Sequence, residues 1–373
     1  MRVGAPKEIK DNEFRVALTP AGVFELVRRG HVALIERGAG EGAGIADAAY
    51  EAAGATLAEG PAGIFETADL IVKVKEPQPR ECERLRPGQI LFTYLHLAAD
   101  RALTLDLLHS GAVCVAYETV TSPFGGLPLL APMSEIAGRL APQAGARCLE
   151  KPMGGRGVLL AGAPGVPPAE VLVLGAGVVG TQAAMIALGM GASVTVADRS
   201  PEPLRRLQAR FGNAAKTIFS TPPALAELAK RADLVIGAAL LPGAAAPKLI
   251  ARDMLAGMKP GAVIVDVAID QGGCCETSHP TTHSDPSFVV DGIVHYCVAN
   301  MPGAVPRTST FALASATLPH VLALADQGLG ALREDPHLRA GLNIIAGEVV
   351  NAAVAAAHDL PSVSSARALG LRA

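Results

Sequence analysis

The sequence predicts an α/β protein with two domains, each built on a parallel β-sheet wrapped by helices. Three observations lead to this prediction. The chain has 373 residues, half of them hydrophobic, and a chain of that length usually folds around more than one core. Short β-rich runs alternate with helical runs in two separate series. One strand-like run leads through a glycine-rich turn into an apolar helix, as in the strand–helix–strand unit of a parallel sheet.

The N-terminal third contains the first series. Short runs rich in β-branched and aliphatic residues occupy positions 1–5, 32–35, 70–74, 90–94 and 112–116. Between the first two, Thr19 supplies a capping hydroxyl before Pro20, which favours the first turn of a helix, and Gly30 is a suitable stop. The alternation predicts a parallel sheet covered by helices.

A second series starts near Val171 and predicts a second α/β domain. Its further strand-like runs are 193–197, 234–238, 263–267 and 293–298. Residues 171–197 carry no charge and are long enough to cross a bilayer, but five glycines divide them, so we expect a buried strand–turn–helix–strand unit and no membrane span. After Arg307 the pattern becomes helical, with one helix predicted over 342–357. We expect this tail to complete the first domain, which makes that domain discontinuous.

The composition excludes several classes of function. With a formal net charge of −3, no Trp and 3% aromatic residues, the chain has neither a basic footprint nor a stacking platform for nucleic acid. Charged residues throughout positions 1–15 leave no apolar core for a secretory signal, so we expect a cytoplasmic protein. Six cysteines without regular spacing are typical of reduced thiols.

Residues 171–180, VLVLGAGVVG, predict a strand that enters a G-x-G-x-x-G turn and then a helix. Gly175, Gly177 and Gly180 allow a tight turn and a close approach of pyrophosphate to the helix N-terminus. A chance glycine cluster is the alternative, but the next strand ends at Asp198, where a carboxylate can bind ribose hydroxyls. This indicates a Rossmann-like domain that binds NAD, since Asp198 would repel the 2′-phosphate of NADP. Arg199 could instead pair with that phosphate or stack on adenine.

Polar residues after strand ends are the candidate reacting groups, because ligands of a parallel sheet bind beyond the carboxyl ends of its strands. Lys75 and His96 follow two strand-like runs of the first domain, while Asp270 and Asn300 end two runs of the second. We expect both sets to face one cleft. For each residue a solvated side chain is the alternative, and for Asp270 a simple turn before Gly272.

Arg15 and a cysteine-rich loop complete the candidates. Arg15 follows the first strand with a forked donor group that suits a carboxylate; the alternative is a surface ion pair with Glu8 or Glu13. A zinc site is suggested by two cysteines and two histidines, Cys274, Cys275, His279 and His283. Their spacing matches no closed tetrahedral ligand set, so we predict no metal and interpret the segment as a loop beside the nicotinamide.

Seven segments resemble, in order, the alanine dehydrogenase family. They are MRVGAPKEIK at 1–10, NEFRVALTP at 12–20, VKVKEP at 72–77, YLHL at 94–97, LAPMSEIAG at 130–138, DVAIDQGGC at 266–274 and VANMPGAVP at 298–306. The resemblance covers essentially the whole chain. It implies a substrate domain of residues 1–128 plus 307–373, completed by C-terminal helices, an NAD-binding domain of residues 129–306, and a homohexamer.

The resemblance also implies an activity and its residues. L-alanine would be interconverted with pyruvate and ammonium by hydride transfer to NAD, without a membrane or nucleic-acid partner. Arg15 and Lys75 would bind the substrate, with His96 and Asp270 as the acid–base pair. The resemblance further implies a set of contacts to NAD that includes the glycines of the turn. The residues of this set are Ser134, Gly175, Gly177, Val178, Val179, Gly180, Asp198, Ser220, Ala239, Leu240, Val267, Ala268, Ile269, Asp270, Val298, Ala299, Asn300 and Met301.

In the implied scheme, water attacks the iminium that hydride loss leaves, and His96 moves the protons, while Asp270 either stabilises the iminium or shares the proton transfer. Two positions depart from the family: Pro203 replaces a basic residue and His279 replaces an arginine, so differences are expected in adenosine contacts. Rival functions are the NAD-binding component of a membrane transhydrogenase and a catalytically silent NAD-binding regulator. The absence of an Arg-Gln-Asp exchange loop argues against the first, and intact candidate residues argue against the second.

Overall fold

The computed structural model of the protein describes residues 1–239 and 246–371. The chain divides into two compact units. Unit 1 comprises Met1–Met133 and Val305–Ala373, and unit 2 comprises Ser134–Ala304. Unit 1 is therefore assembled from two separate stretches of the chain.

The first stretch alternates strands and helices. Thr19 caps the first helix by accepting a hydrogen bond from the Gly22 amide at 3.4 Å, and Pro20 begins it, as its sequence predicts. The elements are β1 (Arg2–Ala5), α1 (Pro20–Arg28), β2 (Val32–Glu36), α2 (Asp47–Ala52), β3 (Thr56–Ala58), α3 (Pro61–Thr67), β4 (Leu70–Val72), α4 (Pro79–Cys82), β5 (Ile90–Thr93), α5 (Arg101–Ser110) and β6 (Val113–Ala116).

The middle stretch begins within one long helix and continues as a second alternating series. Its elements are α6 (Ala131–Cys148), β7 (Glu170–Leu174), α7 (Val178–Gly189), β8 (Ser193–Asp198), α8 (Pro201–Phe211), β9 (Ala215–Phe219), α9 (Pro222–Arg231), β10 (Leu234–Gly237), α10 (Arg252–Leu255), β11 (Val263–Asp266), β12 (Ser287–Val290) and β13 (Ile293–Tyr296). The charge-free residues 171–197 thus form strand, turn, helix and strand, which confirms the interpretation of this segment as a strand–turn–helix–strand unit.

The last stretch contains α11 (Pro306–Gln327), α12 (Leu329–Glu334), α13 (Pro336–Arg339), β14 (Leu342–Ile345), β15 (Glu348–Val349), α14 (Ala352–His358) and α15 (Ser365–Ala368). The prediction of one helix over 342–357 is wrong. Ala346 (φ 50°) and Gly347 (φ 78°) both adopt the left-handed conformation of a tight hairpin turn. The β-branched residues Ile344 and Ile345 pair across that turn with β15, and only the alanine-rich end is helical.

The described strands of unit 1 form one sheet in the order β15-β14-β6-β5-β4-β1-β2-β3. The strands from β6 to β3 run parallel. The chain winds outward in both directions from β1 and β4, which makes the gap between them the usual ligand-binding position of such a sheet. The C-terminal strands β14 and β15 are antiparallel, so the sheet is mixed, where the sequence predicts purely parallel strands.

Over the part of unit 2 that the structure describes, the sheet order is β12-β13-β11-β10-β7-β8-β9. All strands except β12 are parallel, in the same doubly wound order with its reversal between β7 and β10. Strands β9 and β12 escape prediction because their side chains are mostly half-buried or exposed. Strand β11 ends at Asp266, so Asp270 does not end the strand as predicted but lies four residues further along the chain.

Apolar residues between sheet and helices form a core in each unit. In unit 1 the core includes Ile64, Phe65 and Leu91, and in unit 2 it includes Leu172 and Ile264. Among the described helices, only α11 is long and apolar enough to span a membrane, and half of its apolar window is buried in the folded protein. A partly buried core helix has this composition as well.

Candidate functional site

In unit 1 the candidate residues collect at one edge of the sheet. Arg15 lies in the loop after β1, Lys75 lies just after β4 and His96 lies just after β5. Because β1, β4 and β5 are parallel neighbours, their carboxyl ends meet at the same edge. This edge includes the reversal point of the sheet, where side chains can reach a ligand from both sides.

Arg15 pairs with Glu13, as the alternative foresaw, but the pair is buried and does not lie on the surface. Its side chain is 1% exposed, and its Nε and Nη2 each donate to a Glu13 oxygen at 2.6 Å. Its Nη1 lies 3.0 Å from the sulfur of Met133. Burial alone would lower the pKa of Arg15, but the hydrogen bond and charge of Glu13 outweigh burial and raise it. The guanidinium is therefore a fixed, permanent cation suited to a carboxylate ligand.

Lys73, two residues before Lys75, lies in a buried charge network. Its Nζ donates to Glu8 at 3.0 Å and to Glu81 at 2.9 Å, and its side chain is fully buried. Burial lowers the pKa of Lys73, yet the two carboxylates outweigh this effect and raise it. Burial also raises the pKa of Glu8. Lys73 is thus a structural cation that two buried carboxyl groups share.

Lys75 has a well-anchored backbone. Its amide donates to Glu8 at 3.4 Å, the Val74 amide donates to the same oxygen at 2.6 Å, and its carbonyl accepts from the Thr93 hydroxyl at 2.9 Å. Since Thr93 ends the neighbouring strand β5, these bonds join the ends of β4 and β5. The start of the Lys75 side chain is fixed relative to the segment that carries His96.

His96 has a half-exposed ring on a strained backbone. Its side chain is 48% exposed, and its φ of 52° and ψ of 35° lie in the left-handed region. The imidazole stacks on Tyr94 with 5.7 Å between ring centroids and 6° between planes. Tyr94 is buried and donates its hydroxyl to the Leu129 carbonyl at 2.5 Å. An accessible imidazole at this edge can exchange protons with water or a ligand.

Glu118 is a neighbour of His96 that our sequence analysis missed. It follows β6, and its carboxylate accepts hydrogen bonds from the His96 amide at 2.6 Å and the Leu95 amide at 3.2 Å. The sequence contains a signal for Glu118, because this residue closely follows the strand-like run 112–116. The rule that selects polar residues after strand ends would have found it.

In unit 2 the glycine-rich turn occupies the reversal point between β7 and β10. A Cβ on Gly175 would lie 2.8 Å from the Ala238 carbonyl oxygen, and one on Gly180 would lie 1.8 Å from the Gly175 oxygen. These two glycines are therefore required by packing. A Cβ on Gly177, which caps α7, would meet no described atom within 4 Å. Open space at a helix N-terminus fits the pyrophosphate of a dinucleotide.

Asp198 lies beside this turn at the end of β8. Its two carboxylate oxygens accept hydrogen bonds from the amides of Ala176 and Ser200, each at 2.7 Å. Its carbonyl accepts from the Ser220 amide at 2.9 Å, so the structure brings these two predicted residues together. A carboxylate has about four acceptor positions, and the remaining ones can accept from ribose hydroxyls.

The other predicted cofactor residues lie at the same edge of the unit 2 sheet or beside it. Ala239 follows β10, residues 267–270 follow β11 and residues 298–301 follow β13, while Leu240 lies outside the described residues. Asp270 is exposed on a short 3₁₀ turn, and Asn300 is left-handed with φ 59°. Helix α6 packs closely on the start of α7, since a Cβ on Gly138 would lie 2.3 Å from the Val179 oxygen. Ser134 lies one turn before Gly138, and Val178 begins α7.

The cysteine-containing loop is organised by Asp266, which sequence reasoning also missed. This buried carboxylate accepts from the amides of Cys274 at 3.0 Å and Cys275 at 3.1 Å and from the Ser278 hydroxyl at 2.6 Å. Burial raises the pKa of the Cys274 thiol to about 12. His279 stacks on Phe288 with 3.7 Å between ring centroids. Backbone and ring contacts thus account for the shape of this loop.

Comparison with known proteins covers almost the whole chain. Residues 4–137 match the family described as "Alanine dehydrogenase/PNT, N-terminal domain", and residues 141–352 match "Alanine dehydrogenase/PNT, C-terminal domain". The alanine dehydrogenase of Halomonas elongata is 61% identical over 99% of this chain and 100% of its own length. That of Mycobacterium tuberculosis is 56% identical with the same coverage.

Solved structures agree with these matches. A structure named L-alanine dehydrogenase superposes with a TM-score of 0.94 at 50% identity, covering 96% of this chain and 99% of that one. A transhydrogenase from Sinorhizobium meliloti has a TM-score of 0.81 at 28% identity, covering 95% of this chain and 100% of its own. The predicted two-domain Rossmann-like α/β fold is confirmed. By sequence and by fold, the chain belongs to the alanine dehydrogenase/PNT family.

Proposed function

We propose that this chain is an NAD-dependent L-alanine dehydrogenase that interconverts L-alanine and water with pyruvate and ammonium. The observation that carries the proposal is that Arg15, Lys75 and His96 follow the neighbouring parallel strands β1, β4 and β5 at the reversal edge of the unit 1 sheet. These residues belong to a chain that is 61% identical to an alanine dehydrogenase over 99% of its length. Unit 1, predicted as residues 1–128 plus 307–373, holds the amino acid, and the domain predicted as residues 129–306 holds the cofactor.

Arg15 binds the substrate carboxylate. Glu13 holds the guanidinium in place through hydrogen bonds from Nε and Nη2. Because Arg15 is buried and Glu13 fixes its guanidinium, binding needs little reordering of the side chain. Lys75, whose backbone Glu8 and Thr93 anchor, binds the carbonyl side of pyruvate.

The cofactor is NAD. Gly177 leaves room for the pyrophosphate at the start of α7, and the Asp198 carboxylate accepts the ribose hydroxyls. The negative charge of Asp198 disfavours a 2′-phosphate, which is the reason for proposing NAD and not NADP. When bound, the nicotinamide accepts the hydride that leaves Cα of alanine. The family resemblance supports further contacts to NAD from Ser134, Gly175, Val178, Val179, Gly180, Ser220, Ala239, Leu240, residues 267–270 and residues 298–301.

His96 moves the protons of the reaction. Its exposed imidazole removes a proton from the water that attacks the iminium carbon, and later returns one as ammonia leaves. The rigid stack on Tyr94 limits the orientations of the ring. Asp270, exposed on its turn, either stabilises the positive iminium or shares the proton transfer.

The test is the formation of NADH by the purified protein from L-alanine and NAD, with no other protein present. We expect alanine to be oxidised faster than valine, leucine or glutamate. His96→Ala should lower the rate by about 10² to 10⁴ in both directions without changing NADH affinity. Exposed His109 on α5 provides the control, and His109→Ala should retain full activity. No alanine-dependent NADH formation would refute the proposal and favour a transhydrogenase component or a silent regulator.

We propose further that the enzyme is a cytoplasmic homohexamer. The family resemblance supports the assembly, and the charged N-terminal sequence supports the location. Light scattering coupled to gel filtration should give a mass of about six times the 38.0 kDa of one chain. A stable monomer or dimer would contradict the proposed assembly.

A further inference from the structure

His96 needs an external group to hold its backbone. In the left-handed region, where its φ is 52° and its ψ is 35°, the Cβ of an ordinary residue crowds the following carbonyl. Such a conformation persists only where the surroundings stabilise it, and it is common at functional positions. The segment that holds His96 is therefore as informative as the residue itself.

Glu118 supplies that stabilisation from the neighbouring strand. It lies on the short turn Tyr117–Thr119 directly after β6, which pairs with β5. Its Oε1 accepts a hydrogen bond from the His96 amide at 2.6 Å, and its Oε2 accepts one from the Leu95 amide at 3.2 Å. The carboxylate is 14% exposed, so these charge-assisted bonds are largely shielded from water.

The same carboxylate also lies beside the imidazole. The Oε1 atom of Glu118 is 4.0 Å from Nδ1 of His96, while the face of the ring stacks on Tyr94. At 4.0 Å the contact is too long for a hydrogen bond, but the negative charge of the carboxylate favours the tautomer that carries its proton on Nδ1, the nearer ring nitrogen. Nε2 is then the nitrogen that accepts a proton from water.

We propose that Glu118 is a positioning residue for the proton transfer of His96. It fixes the left-handed backbone of His96 through two amides and selects the ring nitrogen that meets the substrate water, without touching the substrate itself. The inference rests on the function proposed for His96 and adds a residue that the comparisons do not assign.

Steady-state kinetics of Glu118→Ala and Glu118→Gln test the proposal. Glu118→Ala should lower kcat for alanine oxidation by about 10 to 100-fold, a loss of the size known for removal of the carboxylate that orients a metal-bound histidine. KM for alanine and the Kd for NADH should change by less than about twofold, because other residues hold both ligands. Glu118→Gln keeps a carbonyl oxygen for the amides and should recover part of kcat. The control is Glu66→Ala, an exposed glutamate on α3, which should behave as wild type.

A double-mutant cycle distinguishes positioning from a general structural effect. If Glu118 acts through His96, Glu118→Ala should cause no further loss of rate in the His96→Ala protein. A loss of the same factor in both backgrounds would overturn the proposal, as would a native kcat in Glu118→Ala. If that variant does not fold, Glu118→Gln in the same cycle gives the answer.

A crystal structure of the Glu118→Ala variant provides a readout independent of activity. We expect His96 to leave the left-handed region or its imidazole to rotate away from its present position. An unchanged His96 would overturn the role of Glu118 whatever the activity. Wild-type protein that fails to oxidise alanine would instead refute the proposed function, and the two failures are therefore distinguishable.

Discussion

Gly177 and Gly180 belong to one glycine-rich turn, yet their replacement by alanine should have opposite consequences. The ideal Cβ at Gly180 lies 1.8 Å from the Gly175 oxygen, about 1.5 Å closer than the ~3.3 Å of a tight carbon–oxygen contact. Backbone must therefore move, at a cost of about 1–3 kcal/mol or more. For a unit of this size that corresponds to a fall in Tm of about 3 to 10 °C.

Gly177→Ala should leave the fold intact and weaken cofactor binding. Gly177 has φ −73°, which alanine adopts readily, and its Cβ would meet no described atom within 4 Å. The stability change at this helix-capping position should be below about 1 kcal/mol. The added methyl group would occupy the space proposed for the pyrophosphate, so NADH affinity should fall at least about tenfold, or about 1.4 kcal/mol.

Thermal unfolding without ligand and fluorescence titration with NADH measure the two effects separately. We expect a lower Tm for Gly180→Ala. For Gly177→Ala we expect a near-native Tm and a larger Kd for NADH. Native NADH affinity in folded Gly177→Ala would refute the placement of the pyrophosphate at this turn. A native Tm in Gly180→Ala would refute the packing argument.

Lys73→Met should destabilise the protein by about 3–5 kcal/mol in urea unfolding, because it leaves the buried carboxyl groups of Glu8 and Glu81 without their cation. Burial already raises the pKa of Glu8 above 4.5, so in this variant the folded state keeps protons that the unfolded state releases, and stability falls as the pH rises. The loss in free energy of unfolding should thus be smaller at about pH 5 than at about pH 8. Equal losses at the two pH values would contradict this account. A similar loss in the control Lys230→Met, which removes an exposed ion pair, would also contradict it. Asp198→Ala should narrow the preference for NAD over NADP in kcat/KM, since it removes the charge that opposes the 2′-phosphate and frees Arg199 to meet it; an unchanged preference would show that Asp198 does not select the cofactor.

Local patterns were sufficient for much of the fold and of the site. The strand β7, the glycine turn and α7 follow from ten consecutive residues, and Asp198 follows from the end of the next strand. The rule that ligands bind beyond strand ends identified Lys75 and His96. It was applied to Asp270 as well, although β11 ends four residues earlier and Asp270 lies on the following turn.

Residues that act through distant partners were harder to predict. Glu118 contacts His96 across 22 positions of the chain, and Glu8 contacts Lys73 across 65. Glu118 could have been selected because it follows a predicted strand, but its contact with His96 could not be predicted, and nothing in the local pattern distinguishes Glu8 from a solvated carboxylate. Glu13 was predicted only as a possible surface partner of Arg15, and its burial depends on segments that fold around it.

The sequence alone determined the alternation of strands and helices, the glycine-rich turn and the candidate groups that follow strand ends, because each depends on spacing within a few residues. Only the tertiary structure decided that Leu342–Ile345 is a strand and not the start of a helix, since its backbone hydrogen bonds go to β6, more than two hundred residues earlier. It also decided which charges are buried and paired. Burial and strand pairing are properties of contacts between distant segments, which a local pattern of residues does not specify.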